Sequence, residues 1–226
     1  MNAFPAASGA LHRFGLALLA VALLSGAAAA EVRILAFGDS LTAGSGLPAK
    51  RGFAPQLEAW LHSHGAPDAT VINAGVPGET TAGGLSRIGA ALDADVDAVI
   101  VELGANDMLR RLDLGAMRRN LDGILGEIGR RDLPILLAGL PAPPTYPAAW
   151  RREFKATYRE LAGKHDAIYV SSFFGGMAGR SVPEIMALFQ PDGLHPNAEG
   201  VTAIVEGIGP SVLRLVAAAR ARAGSQ

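Results

Sequence analysis

The chain contains no cysteine. That excludes a disulfide framework and a lipid attached through a thiol, so stability has to come from packing. It also lacks any excess of one charge: 20 Lys and Arg stand against 21 Asp and Glu, a net charge of −1. No basic run is long enough to line a nucleic-acid groove. Internal repeats and low-complexity linkers are missing too, and residues 31–226 fit one domain. Three familiar site signatures do not occur: the Gly-x-Ser-x-Gly elbow, the P-loop and the His-Glu-x-x-His metal pair. Gly44-Ser45-Gly46 loosely fits a dinucleotide fingerprint, but Pro48 falls where its helix should open. His62 and His64 sit two apart at a helix end, and His165 has no acidic or thiol company in sequence. A small-molecule partner is therefore expected, with no metal or cofactor implied.

What is present begins with a leader. His12 and Arg13 precede an apolar run from Phe14 to Leu24, and Ala28-Ala29-Ala30 offers small residues for cleavage. The run is shorter than the roughly 20 residues that span a bilayer. Residues 1–30 thus read as a secretory signal cut before Glu31. The expected product is a secreted, periplasmic domain at 31–226 with no membrane anchor.

Beyond the leader, short apolar runs alternate with stretches of helical period. Strands are expected at Val32–Gly38, Val71–Asn73, Ala98–Leu103, Ile135–Leu140 and Ala167–Val170. Between them lie helical patterns: Leu57, Trp60 and Leu61; Leu85, Ile88 and Leu92; Leu114 to Ile128; Phe154, Tyr158 and Leu161. Ala198 to about Ala219 closes the chain with Ile204, Ile208, Val212 and Leu215 inward. Such alternation predicts a three-layer α/β/α domain on a five-stranded, mainly parallel sheet. Ligands of these sheets bind beyond the carboxyl ends of the strands.

The segments beyond those ends carry the chemistry. Gly38-Asp39-Ser40 follows the first strand, Asn73 to Gly78 the second, and Gly104-Ala105-Asn106-Asp107 the third, the last read as a polar turn. A serine needs a base to act as a nucleophile, and the base needs a carboxylate. Asp192-Gly193-Leu194-His195 supplies both, because a spacing of three lets Asp192 fold back onto one ring nitrogen and leaves the other for Ser40. The Ser40 N–H, the Gly75 N–H and the Asn106 amide are candidate donors to an oxyanion. Asp39, beside the nucleophile, is expected to hold the turn. Taken singly, each motif also suits a plain structural role: Asp39 or Ser40 as a helix cap, Gly75 and Gly78 as tight turns, Asn106-Asp107 and Asp192-His195 as loops. Caps do not explain all of them falling after strands in one order.

Gly-Asp-Ser-Leu at 38–41, Gly75, Gly-x-Asn-Asp at 104–107 and Asp-x-x-His at 192–195 resemble the four blocks of the GDSL or SGNH hydrolase family. The surrounding residues are most similar to its bacterial branch of secreted arylesterases and thioesterase/lysophospholipases. The resemblance implies a flavodoxin-like strand order 2-1-3-4-5, with Ser40, Asp192 and His195 as triad and Ser40, Gly75 and Asn106 as oxyanion hole. It implies a serine esterase acting on carboxylic esters, acyl thioesters or lysophospholipids. Two departures stand out: Ala105 where the branch carries glycine, and the segment 175–190. Alternatives are a carbohydrate or peptidoglycan O-deacetylase and a non-catalytic binding module on the same fold. Apolar residues flanking the site, among them Met108, Leu109, Phe173, Phe174, Met177, Met186, Leu188 and Phe189, suit either an acyl pocket or core under a long loop. Arg110 and Arg111 suit an anionic head group or, more simply, solvent.

Overall fold

A computed structural model describes Met1, residues 31–93 and residues 95–225. The expected leader therefore falls outside the described residues, Met1 apart. Strands are β1 (Val32–Gly38), β2 (Ala69–Gly75), β3 (Ala98–Glu102), β4 (Ile135–Ala138) and β5 (Ile168–Val170). Helices are α1 (Ser40–Ala43), α2 (Phe53–Ser63), α3 (Thr81–Ala91), α4 (Ala105–Leu109), α5 (Leu114–Gly129), α6 (Ala148–Lys164), α7 (Val182–Met186) and α8 (Ala198–Ala223). The sheet order is β2-β1-β3-β4-β5, and every neighbouring pair is parallel.

Each element follows from its residues. β3 and β4 are buried along their whole length, as strands covered on both faces must be, so they read as unbroken apolar runs. α5 buries Leu114, Met117, Leu121, Ile124, Leu125 and Ile128 on one stripe, and the Asp113 carboxylate caps its start by accepting from the Ala116 N–H at 2.7 Å. α3, α5 and α6 pack side by side on one face, and α2 packs against α8 on the other. α8 is long and apolar enough to cross a membrane, yet half of that stretch is buried inside the domain. The four residues expected to face inward, Ile204, Ile208, Val212 and Leu215, are all buried.

Differences from the sequence reading are local. β2 extends two residues further at each end, and β4 stops at Ala138, although the Gly139 N–H still donates to the Val170 carbonyl of β5 at 2.8 Å. The expected polar turn after β3 is the short helix α4. α7 carries no helical period long enough to recognise; a Ser181–Glu184 capping box starts it.

One crossing sets the floor near the later site. The turn Gly175–Met177 lies against α8, where a Cβ on Gly176 would fall 1.8 Å from the Ala203 carbonyl oxygen. Gly176→Ala is expected to cost about 1–3 kcal/mol by overpacking. Thermal unfolding should show a loss of roughly 2–4 °C per kcal/mol for a chain of this size; an unchanged Tm would contradict the close crossing.

Candidate functional site

Ser40 stands where β1 ends and α1 begins, at the point where strand order reverses between β1 and β3. The turn is tight for a steric reason. A Cβ on Gly38 would meet Thr42 Oγ1 at 2.1 Å and the Glu102 carbonyl at 2.7 Å. Asp39 then caps α1, accepting from the Leu41 N–H at 3.0 Å. Gly44, in the left-handed region at φ 76°, closes it.

His195 arrives from the segment between α7 and α8. Its Nε2 lies 2.9 Å from Ser40 Oγ, and its Nδ1 lies 2.7 Å from Asp192 Oδ2. A carboxylate only accepts, so Nδ1 carries the hydrogen and Nε2 is left to accept from the serine hydroxyl. Asp192 Oδ1 also accepts the Leu194 and His195 N–H groups, at 2.9 and 3.0 Å. The hydrogen bond to His195, with those backbone bonds, lowers the Asp192 pKa to about 2. Gly193 turns the loop at φ 64°. Gln190 fastens it across the site: its amide nitrogen donates to the Ser45 carbonyl at 2.8 Å and the Pro196 carbonyl at 3.0 Å.

Asn106 lies in the first turn of α4, and its Nδ2 donates to Asp39 Oδ2 at 2.9 Å. An amide has two hydrogens, so this bond fixes the plane and leaves the second free. α4 is anchored in turn by Asp107, which is buried and accepts from the Thr81 N–H at 2.8 Å and Oγ1 at 2.6 Å. The preceding Gly104, at φ 120°, admits the Tyr158 hydroxyl, which donates to the Leu103 carbonyl at 2.9 Å.

Gly75 does not sit as expected. Its N–H donates to Asn73 Oδ1 at 3.0 Å, and it is absent from the cavity wall. It is glycine because a Cβ there would fall 2.2 Å from the Ala43 backbone nitrogen, where β2 passes α1. The glycine of that loop lining the cavity is Gly78, at φ 76°. Among the described residues neither its N–H nor that of Ser40 has an acceptor. Sequence reasoning noted Gly78 only as a turn. The loop is held from beneath by Arg87, which donates to the Gly38 and Ala74 carbonyls at 3.2 and 2.9 Å, pairs with Glu79 and lies 3.9 Å above the Phe37 ring centroid. Arg110 grips its tip through the Gly78 carbonyl at 2.7 Å.

Two carboxyls lie buried under the serine. Burial raises the Asp39 pKa from 3.8 to about 6, against the lowering effect of Leu41 and Asn106. Glu102, wholly buried, accepts from Thr42 Oγ1 at 2.8 Å, and burial drives its pKa well above the carboxylate range. Above them opens a cavity of about 830 Å³. Ser40, Gly78, Asn106 and His195 line its polar end, and Leu140, Phe174, Met177 and Phe189 line its apolar body. Of the apolar residues weighed in sequence, Met108 and Leu109 also line it, whereas Phe173 is core and Met186 is exposed. Among the described residues no three His, Asp or Glu side chains converge as metal ligands do.

Residues 36–203 match the sequence profile of the GDSL-like Lipase/Acylhydrolase family. The chain is 32% identical over 199 residues to a protein named Esterase TesA from Pseudomonas aeruginosa, covering 88% of this chain and 96% of that one. It is 30% identical over 207 residues to the thioesterase 1/protease 1/lysophospholipase L1 of Escherichia coli, covering 91% and 95%. The solved structure of AlinE4, titled an SGNH-hydrolase family esterase, superposes with a TM-score of 0.67 at 45% identity, covering 81% of this chain and 96% of that one.

A carboxyl whose pKa rises from 3.8 to about 6 on folding contributes most to stability below pH 4 and loses that contribution as pH climbs through 6. Asp39→Asn cannot titrate there. Between pH 4 and 7.5 the wild type should therefore lose stability relative to the variant, by up to about 3 kcal/mol, in denaturant melts. A difference that does not change with pH would contradict the burial of this carboxyl.

Proposed function

The chain belongs to the GDSL-like lipase/acylhydrolase family, and we propose that within it this protein is a serine carboxylic ester hydrolase whose nucleophile is Ser40. Its His195 takes the Ser40 proton at Nε2 as Oγ attacks the ester carbonyl. The oxyanion so formed rests on the Ser40 N–H, the Gly78 N–H and the free hydrogen of Asn106 Nδ2, Gly78 taking the part that sequence gave to Gly75. Donors of this kind contribute about 2.7–4 kcal/mol each. His195 then passes its proton to the departing alcohol or thiol, leaving an acyl group on Ser40. A water, deprotonated by the same Nε2, attacks that acyl group and releases the acid. Asp192 holds the ring and stabilises the imidazolium throughout.

The observation that carries this reading is the unbroken line from Ser40 Oγ through His195 to Asp192, at 2.9 and 2.7 Å, at the polar end of an apolar cavity. Relatives named esterase and thioesterase/lysophospholipase support ester hydrolysis as its use. The apolar cavity favours acyl chains of several carbons, in oxyesters, thioesters or lysophospholipids, over the acetyl groups of a carbohydrate deacetylase. A binding module would have no need of a histidine with its tautomer fixed against a serine hydroxyl. The reading includes export: residues 1–30 direct the chain out of the cytoplasm, and the domain works in the periplasm.

Ser40→Ala should lower kcat on p-nitrophenyl butyrate by at least about 10³-fold, with the melting curve preserved. Asn106→Ala should lower it by about 10²–10³-fold. Wild-type turnover in the first variant would overturn the mechanism, and wild-type turnover in the second would remove Asn106 from the oxyanion site.

A further inference from the structure

A second cavity, of about 260 Å³, lies beyond the same strand edge and has no part in the mechanism above. Arg111, Leu112, Thr145, Tyr146, Pro147 and Trp150 line it. It adjoins the first across a wall of two chain segments: Met108, Leu109 and Pro143 line the acyl cavity, and two residues beyond Leu109 and Pro143, Arg111 and Thr145 line the second. The Tyr146 hydroxyl fastens this wall by donating to the Met108 carbonyl at 2.8 Å.

The floor of the second cavity is rigid. Tyr146 stacks on Trp150 at 4.7 Å between centroids, Trp150 on Phe154 at 5.0 Å, and Phe154 meets Tyr158 edge-on at 5.3 Å. Phe154 and Tyr158 are wholly buried, so the column roots the half-buried rings of Tyr146 and Trp150 in the core. Arg111 supplies the one charge on the cavity wall. It ends the turn after α4 at φ 54°, with its N–H on the Met108 carbonyl at 2.9 Å. Glycine takes that conformation without strain, and arginine does not. Among the described residues its guanidinium has no ion pair or hydrogen bond; the nearest acid in sequence, Asp113, is engaged in capping α5 and lies 3.8 Å from Arg119. An arginine held in a strained turn, without a counter-charge, beside a fixed aromatic wall suits an anionic group carried on an organic body.

We propose that this cavity binds the phosphate-bearing leaving group of the substrate, with Arg111 as its counter-charge and Tyr146 and Trp150 as the wall against which its carbon skeleton packs. The proposal rests on the esterase reading. It makes Arg111 a residue of substrate choice: the acyl chain lies in the large cavity, the scissile carbonyl at Ser40, and the head group in the small one. Two leaving groups share this chemistry, the glycerophosphate head of a lysophospholipid and the phosphorylated thiol of coenzyme A.

The test is Arg111→Gly, a change that suits the backbone at φ 54° and so keeps or raises Tm while removing the charge. Three chain-matched substrates are compared: p-nitrophenyl laurate, 1-lauroyl-lysophosphatidylglycerol and lauroyl-coenzyme A. The expected result is unchanged kcat/KM on the first and a fall of about tenfold, carried by KM and weakened by added salt, on at least one of the others. Whichever substrate falls identifies the head group. Equal kcat/KM on all three before and after the substitution would overturn the proposal, and so would an equal fall on all three. Failure of the wild-type protein to cleave p-nitrophenyl laurate would instead strike at the esterase reading itself.

Discussion

Everything at this site depends on one buried carboxylate, that of Asp39. It reaches two ways at once, to the Leu41 N–H within the serine turn and to the Asn106 amide on α4. The first bond shapes α1, the four-residue helix that carries Ser40. The second ties a residue after β1 to one after β3, so that Ser40 and the Asn106 amide keep a fixed separation. The carboxyl is fully buried, and these two charge-assisted bonds offset only part of its cost in desolvation. Glu102 and Thr42 form a second layer beneath, again joining β3 to α1.

The histidine arm needs a different solution, because it comes from the far end of the chain, 155 residues from the serine. With no disulfide to hold it, the segment uses hydrogen bonds to backbone carbonyls. Gln190 spans from Pro196 to Ser45, and Asn197 caps α8 by accepting the Gly200 N–H at 2.9 Å while its amide holds the Ala187 carbonyl. Gly200 allows this closeness, since a Cβ there would come within 2.1 Å of the Leu188 carbonyl oxygen. The Arg87–Glu79 pair plays the matching part under the loop that carries Gly78. Three separate chain segments thus converge on Ser40, each fastened by polar groups to main chain rather than by core packing alone. The apolar cavity they surround is what the esterase reading assigns to the acyl chain, and the smaller aromatic cavity next to it is what the further proposal assigns to the leaving group.

Much of this was legible in the sequence because it rests on local rules. Strands buried on both faces read as apolar runs, the Asp192–His195 spacing folds back within one turn, and strand alternation places the loops on one edge. Gly75 and Gly78 show where such reasoning stops. Both are glycines in one loop, and both are required, but for different reasons: Gly75 because β2 passes the backbone of α1, Gly78 because its left-handed turn faces the cavity. Nothing in the sequence distinguishes a contact across two elements from a turn open to a ligand. α7 escaped notice because five residues hold no period, and the aromatic column from Tyr146 to Tyr158 became visible only when α6 stacked its rings against the loop before it. In sequence Arg111 suits an anionic head group or, more simply, solvent; its turn conformation and its cavity are facts of three dimensions.

The account's central claim is that Ser40 is the nucleophile, activated by His195. Its most direct test is covalent labelling of the folded protein with a fluorophosphonate, followed by peptide mapping by mass spectrometry. The account predicts one adduct, on Ser40, forming far more slowly in a His195→Ala variant. An unlabelled Ser40, an adduct on another serine, or labelling at the same rate without His195 would contradict it.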